Sequence, residues 1–309
     1  MSYSDRALAF ATIPAGHQVR LEDRVSFAYL DRATVYQNRT GVWAMQADEG
    51  EKIRTRIQLP VGGIAVLALG PGTSITHPAA ISLTRSGTTV VFAGNGGANA
   101  YSAATPLTSS ARWAIAQAHV ITDENSVQQA AISLYKRQLG VPMLPGGSVA
   151  TMRGLEGRTI RNLYKTLAKQ HAVTFKRDTK ADDVINMGLN LGNSILYGCA
   201  AAACTAIGVN PALGIIHRGN SRSLIFDLAD LYKPSITIPV AFQSKEGDPE
   251  AMAKLRSSLR KLIHQKKVLA GMLDALMEVL APHLPKRDDD RIIGEAGEVA
   301  GHVNYGGDE

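Results

Sequence analysis

Ser102-Ala103-Ala104-Thr105-Pro106 is the stretch on which the fold turns, because the hydrophobic pattern differs on its two sides. Ahead of it, apolar residues fall in short runs with turn punctuation, the mark of strands. Behind it, the period moves to about 3.6, the mark of helices. A small, polar, Pro-ended segment between two such patterns reads as a linker.

Working back from it, Val25-Ser26-Phe27-Ala28-Tyr29-Leu30 and Thr34-Val35-Tyr36 are the first two runs. Asn38-Arg39-Thr40-Gly41 turns the chain into Val42-Trp43-Ala44-Met45. Ile53 to Leu59 alternates with period two, and Ile64 to Leu69 is wholly apolar. Pro71-Gly72-Thr73 breaks the chain; Thr76 is placed to cap one short helix over 77–86, and Thr88 to Ala93 is a further strand. Gly94-Asn95-Gly96-Gly97 lacks the Gly-Lys-Ser/Thr ending and the following helix of a phosphate loop. It reads as a hairpin turn into a strand at Ala98 to Tyr101.

Working forward, helices are expected over 108–121, 125–139, 147–171, 182–207, 222–232, 235–243 and 249–280. Gly140-Val141-Pro142 and Pro145-Gly146-Gly147 supply turns. The expectation is an α+β fold: a polar lead-in over 1–22, a small N-terminal β domain over 23–104 and an all-helical domain over 105–281. The tail over 282–309 is charged and then Gly-rich, cannot build a core, and is expected to be disordered.

With 309 residues and 45% hydrophobic content the chain can bury substantial cores. A net charge of +6 fits a polyanionic partner without requiring one. No apolar run reaches the ~18 residues of a membrane span, and Met1-Ser2-Tyr3-Ser4-Asp5-Arg6 lacks a signal-peptide layout, so a cytoplasmic protein with no membrane partner is expected. Cys199 and Cys204, in one Ala-rich helical segment, point to different faces and are expected to be buried free thiols.

Two segments carry candidate chemistry. In Gly214-Ile215-Ile216-His217-Arg218-Gly219-Asn220 a histidine leaves an apolar run through a Gly/Asn loop. An aliphatic helix follows, with Asp227 and Asp230 three apart and therefore on one side. Two carboxylates among Leu224, Ile225, Phe226, Leu228 and Leu231 are costly to bury without a cation partner, which suggests half of a metal site. A structural histidine and a surface or helix-end acidic pair remain open. The second segment, Met152 to Arg161, holds Glu156 beside Gly154 and Gly157, which cost a helix roughly 1 kcal/mol each relative to alanine. A helix or ligand approaching closely would account for them; a solvated Glu156 paired with Arg153 or Arg161 is the plain alternative.

His with carboxylates suits Mg²⁺ or Mn²⁺, the imidazole favouring Mn²⁺. Arg158, Arg161 and Lys165 stand at helical spacing beside Glu156, where they can hold phosphates around a metal. Such a site matches phosphodiester chemistry better than acyl transfer, and neither a Gly-x-Ser-x-Gly elbow nor a plausible Cys nucleophile competes. A further basic run, Lys254 to Lys267, marks the late helix.

These residues also resemble a known family. Asp23-Arg24-Val25-Ser26, Leu59-Pro60-Val61-Gly62-Gly63, Arg153-Gly154-Leu155-Glu156-Gly157, Leu167-Ala168-Lys169-Gln170, Leu196-Tyr197-Gly198, Gly214-Ile215-Ile216-His217 and Phe226-Asp227-Leu228-Ala229-Asp230 occur in the order seen in the CRISPR-associated integrase of spacer acquisition, the founding nuclease of the Cas series, and most of all in its type I-E branch. The resemblance implies an N-terminal β domain that dimerises and a helical, metal-dependent catalytic domain. It implies Glu156, His217 and Asp230 as metal ligands, with Asp227 an acidic neighbour in the same catalytic site. It implies double-stranded DNA (a captured fragment and the CRISPR repeat and leader), an asymmetric homodimer and a small ferredoxin-like second Cas protein as partners. Arg158, Arg161, Lys165, Tyr197, Arg218 and Arg222 are the candidate DNA contacts. The chain departs from type I-E relatives in Phe226, where they can carry Tyr, in Asn220, where a relative has Lys, and in Ser74, where a basic residue is expected. The function expected is integration: attack of a fragment 3′-hydroxyl on a repeat phosphodiester. A structure-dependent DNA nuclease with the same site, and a non-enzymatic DNA-binding scaffold, are the alternatives.

Overall fold

The wholly apolar run at Ile64 to Leu69 becomes the middle of the molecule's first half, because a strand buried on both faces needs no polar side. The computed structural model describes residues 23–25, 27–47, 54–93, 99–104, 106–108, 110–140, 149–285, 291–294 and 297–300. The lead-in over 1–22, the turn expected at Gly94 to Gly97, the turn expected after Gly140 and the end of the tail lie outside them.

Eight strands come first: β1 (Ala28–Leu30), β2 (Ala33–Asn38), β3 (Gly41–Ala47), β4 (Arg54–Leu59), β5 (Val66–Leu69), β6 (Ser74–Ile75), β7 (Thr89–Ala93) and β8 (Asn99–Ala103), with helix α1 (His77–Arg85) between β6 and β7. They form two four-stranded sheets, β1-β5-β7-β8 and β4-β3-β2-β6. In the first, β1, β5 and β7 run parallel and β8 returns antiparallel. Alternation sorts the two faces of β5 and β7. Leu67, Leu69 and Val90 join Val35, Val42, Ala44 and Leu59 in a core beneath α1. Val66 and Val91 face the other way, toward the helices.

The helices are α2 (Arg112–Thr122), α3 (Glu124–Leu139), α4 (Val149–Gln170), α5 (Val184–Ala206), α6 (Ser223–Asp230), α7 (Thr237–Ala241), α8 (Ala251–Gln265) and α9 (Val268–Leu280). Asp123 caps α3 by accepting the Ser126 N–H, and Gly140 ends it at φ +65°, where a side chain would be strained. α5 is the central helix, with α6, α7, α8 and α9 packed around it. Its Gly198 allows close contact with the sheet, since a Cβ there would sit 3.0 Å from Val66. Cys199 and Cys204 are buried free thiols on this helix, and burial raises both thiol pKa values. Among the described residues no helix is long and apolar enough to cross a membrane.

Three expectations need correction. The helix read over 249–280 is two, because Lys267 takes a left-handed φ of +49° between α8 and α9. Ser102 and Ala103 belong to β8 rather than to a linker, paired with Val91 and Val90. Within the tail expected to be disordered, β9 (Arg291–Gly294) and β10 (Gly297–Ala300) pair antiparallel.

Candidate functional site

Asp227 organises the His217 loop. It lies on α6, 1% exposed, and both its oxygens are filled. Oδ2 accepts the backbone N–H of Ile215 at 2.6 Å and of Ile216 at 3.0 Å. Oδ1 accepts the N–H of His217 at 2.9 Å and lies 2.7 Å from His217 Nδ1. A carboxylate that holds three successive peptide N–H groups fixes the loop carrying the histidine. Gly214 permits the fold-back: a Cβ there would fall 2.2 Å from the His217 carbonyl oxygen and 2.6 Å from Ser223 Cβ. Buried Gln117 of α2 ties down the approach, donating to the Asn210 and Leu213 carbonyls and accepting from Asn210 N–H.

With Nδ1 engaged by Asp227, the neutral imidazole carries its proton there and leaves the Nε2 lone pair free. Nε2 stands 3.9 Å from Asp230 Oδ2. Phe226 lies edge-on to the ring at 6.0 Å. The other oxygen of Asp230 pairs with Lys233 Nζ at 2.5 Å. Lys233 also lies 4.9 Å above the Tyr197 ring, and Tyr197 packs edge-on against Phe226. Burial works against the Lys233 charge, but Asp230 and Tyr197 outweigh it and its pKa sits above the ordinary lysine value.

Glu156 is half-buried near the middle of α4, and Gln138 of α3 donates to its Oε1 at 2.8 Å. It pairs with neither Arg153 nor Arg161; Arg161 Nε instead donates to the Gly157 carbonyl. Of the two approaches that would account for Gly154 and Gly157, a helix is not found: a Cβ at either would meet no atom of the described residues within 4 Å. Both glycines border open space beside Glu156.

The structure therefore brings His217, Asp227 and Asp230 together, while Glu156 stays on α4 and shares with the two aspartates only an effect of charge on Tyr135. Among the described residues, no three His, Cys, Asp or Glu side chains converge on one metal position. The donor types nevertheless fit a hard divalent cation: a free imidazole nitrogen, one oxygen of Asp230 and the second oxygen of Glu156. Arg158, Arg161 and Lys165 are exposed along α4. Arg218 is exposed and lines an open cleft with Glu124, Gln128 and Val149. Arg222 sits 5.4 Å over the Phe226 ring. Tyr197 is placed in the wall of the site rather than among these exposed groups. Two arginines of the late basic run turn onto the first sheet, Arg256 over Tyr29 and Arg260 over Phe27.

Lys233, Gln138, Tyr135 and Gln117 did not stand out in the sequence. Lys233 alone left a signal, three residues beyond Asp230. Tyr135 is fully buried, and its hydroxyl has no hydrogen-bond partner among the described residues. Such an unmet group costs about 1–3 kcal/mol. Burial, then the charge of Glu156, hold its proton on, opposed by Arg153 and assisted by Asp227 and Asp230.

The hydrogen bond to Asp227 raises the His217 pKa, burial opposes this, Asp227 and Asp230 charges add to it, and Arg153 subtracts. In the metal-free protein, imidazole NMR signals of His217 are expected to titrate above the ordinary value of about 6.5. Since the folded pKa is the higher one, the associated stability is fully present below about pH 6.5 and is lost as pH rises through the folded midpoint. A midpoint at or below 6.5 would contradict the Asp227 contact.

Residues 135–247 match the family model for CRISPR associated protein Cas1. The chain is 33% identical to CRISPR-associated endonuclease Cas1 2 of Thermus thermophilus, over 94% of this chain and 93% of that protein. It is 30% identical to CRISPR-associated endonuclease Cas1 of Escherichia coli, over 85% of this chain and 87% of that one. The crystal structure of a TtCas1–DNA complex superimposes with a TM-score of 0.75 at 32% identity, covering 89% of this chain and 99% of the other.

Proposed function

The chain belongs to the CRISPR-associated Cas1 family, and from that premise we propose that it is a divalent-metal-dependent DNA endonuclease and integrase. In this reading the 3′-hydroxyl of a captured DNA fragment attacks a phosphodiester at the edge of a CRISPR repeat. The observation that carries it is the His217 ring, clamped at Nδ1 by Asp227 and free at Nε2 beside Asp230.

His217, Asp230 and Glu156 would hold Mg²⁺ or Mn²⁺, which supplies charge neutralisation at the scissile phosphate and acidifies the attacking hydroxyl. Asp227 has no oxygen to spare and acts by orienting His217. Lys233 fixes Asp230 and offsets part of the negative charge. Exposed Arg158, Arg161, Lys165 and Arg218 supply phosphate contacts. The open space beside Gly154 and Gly157 leaves room for a DNA backbone near Glu156. Phosphoryl transfer asks the protein for positioning and electrostatics, so no protein nucleophile is required. An asymmetric homodimer joined mainly through the strand-rich half, a small ferredoxin-like second Cas protein and a cytoplasmic setting complete the reading.

The test supplies a labelled fragment with a free 3′-hydroxyl, double-stranded repeat DNA and Mn²⁺. Joined product is expected, and a 3′-blocked fragment should give none. Cleaved repeat without joining, equal for both fragments, would establish the hydrolytic nuclease instead, and DNA binding without either product would leave only a scaffold.

A further inference from the structure

We propose that α3 carries two positioning residues for this site, one helical turn apart: Gln138, which sets the orientation of Glu156, and Tyr135, whose hydroxyl is the donor for a site carboxylate once a cation is held. The proposal rests on the metal reading above and concerns residues which that reading does not use.

Positions 135 and 138 are three apart, so they face the same neighbour, and α3 packs against α4. Gln138 Nε2 donates to Glu156 Oε1 at 2.8 Å. An amide orients a carboxylate without contributing charge. An arginine or lysine there would compete with a cation for the same negative charge; Gln138 leaves the charge of Glu156, and its second oxygen, available.

Tyr135 supplies the second observation. A fully buried hydroxyl without a partner is rare in a folded protein, and a phenylalanine would fill the same space without the penalty. The carboxylates near enough for their charge to act on the phenol are Glu156, Asp227 and Asp230, and these are the candidate acceptors. Asp227 is excluded, because four donors already fill its oxygens. Asp230 Oδ1 is taken by Lys233. What remains is Glu156 or the second oxygen of Asp230. A carboxylate that ligates a cation through one oxygen is commonly held by a donor on the other, and loss of that donor weakens the metal site.

The experiment is a Mn²⁺ titration followed by thermal melting, on the wild-type full chain, Tyr135→Phe, Gln138→Leu, the double variant and Glu156→Ala. Tyr135→Phe removes one buried oxygen and should melt at or above the wild type without metal. It and Gln138→Leu should each need about 10-fold or more Mn²⁺ for the same stabilisation. The double variant should fall short of the product of the two effects, because both residues serve one carboxylate cluster. Strand transfer by either single variant should be restored by raising Mn²⁺, which a purely structural lesion would not allow. If the wild type responds to Mn²⁺, Glu156→Ala abolishes the response and both single variants match the wild type, the assignment to α3 is overturned and the metal reading stands. If the wild type shows no response, or Glu156→Ala retains it, the metal reading fails and the assignment falls with it.

Discussion

His217→Ala and Asp230→Ala are each expected to lower strand transfer by on the order of 10³-fold or more, equivalent to about 4 kcal/mol of barrier. The folded state and duplex binding should be nearly unchanged. The side chains of His217 and Asp230 are 34% and 18% exposed, and neither fills a core position, so little packing is lost on truncation. The arginines and lysines proposed to contact DNA are separate side chains, Arg158, Arg161 and Lys165 on α4 and Arg218 on the loop, all exposed, so duplex affinity should survive. Gel-shift affinity measured beside product formation separates the two effects. Full strand transfer in either variant would remove the ligand assignment; a parallel collapse of DNA binding would place these residues in substrate holding instead. Asp230→Ala also frees Lys233, which then faces the site without its partner. Asp230→Asn, which keeps the shape, is the control for that side effect.

Asp227→Ala is expected to behave in the opposite way, through stability first. It removes the acceptor of three backbone N–H groups and the anchor of the imidazole, all at a position 1% exposed. Breaking a buried hydrogen-bonded ionic contact by deleting one partner typically costs about 3–5 kcal/mol. For a helical region of this size such a loss should appear as a large drop in Tm and in the urea midpoint with the slope m preserved. The His217 titration should also return toward its ordinary range, since its main stabiliser is gone. A variant with wild-type Tm and no activity would mean that Asp227 binds the cation directly. A destabilised variant with a mobile imidazole signal would establish it as the hub of the loop.

The two aspartates share a spacing and a local composition, yet their environments differ. The three-residue spacing puts both against the His217 ring, Asp227 at 2.7 Å from Nδ1 and Asp230 at 3.9 Å from Nε2. What separates them is the return of residues 214–217 over the α6 N-terminal half. That path is set by Gly214, Gln117 and the peptide N–H groups themselves. Backbone donors have no side-chain signature, so this role left no mark in the residue pattern. The same holds for Tyr135 and Gln138. On α3 they read as one core position and one polar position, and only the placement of α4 against α3 gives them Glu156 as a neighbour. Gly154 and Gly157 were visible as costly, but their surroundings were not: the space beside them is open rather than filled by a helix.

Periodicity was enough to read strands before Ser102-Ala103-Ala104-Thr105-Pro106 and helices after it, because alternation and the 3.6 repeat are local properties of each segment. Local composition marked His217, Asp227 and Asp230 as candidate chemistry, because charged groups in apolar segments are costly wherever they fold, whereas Glu156 joined them only through the family resemblance. The parallel order β1-β5-β7, the break at Lys267 and the β9–β10 pairing depended on contacts between segments that no local pattern encodes. Above all, one hydrophobic core contains Val66 and Val91 from the strands together with α5 and its neighbours from the helices. The change of pattern at residues 102–106 is therefore a change of secondary structure that one core spans. Side-chain burial is a sum over partners distant in sequence, and only the folded chain decides who those partners are.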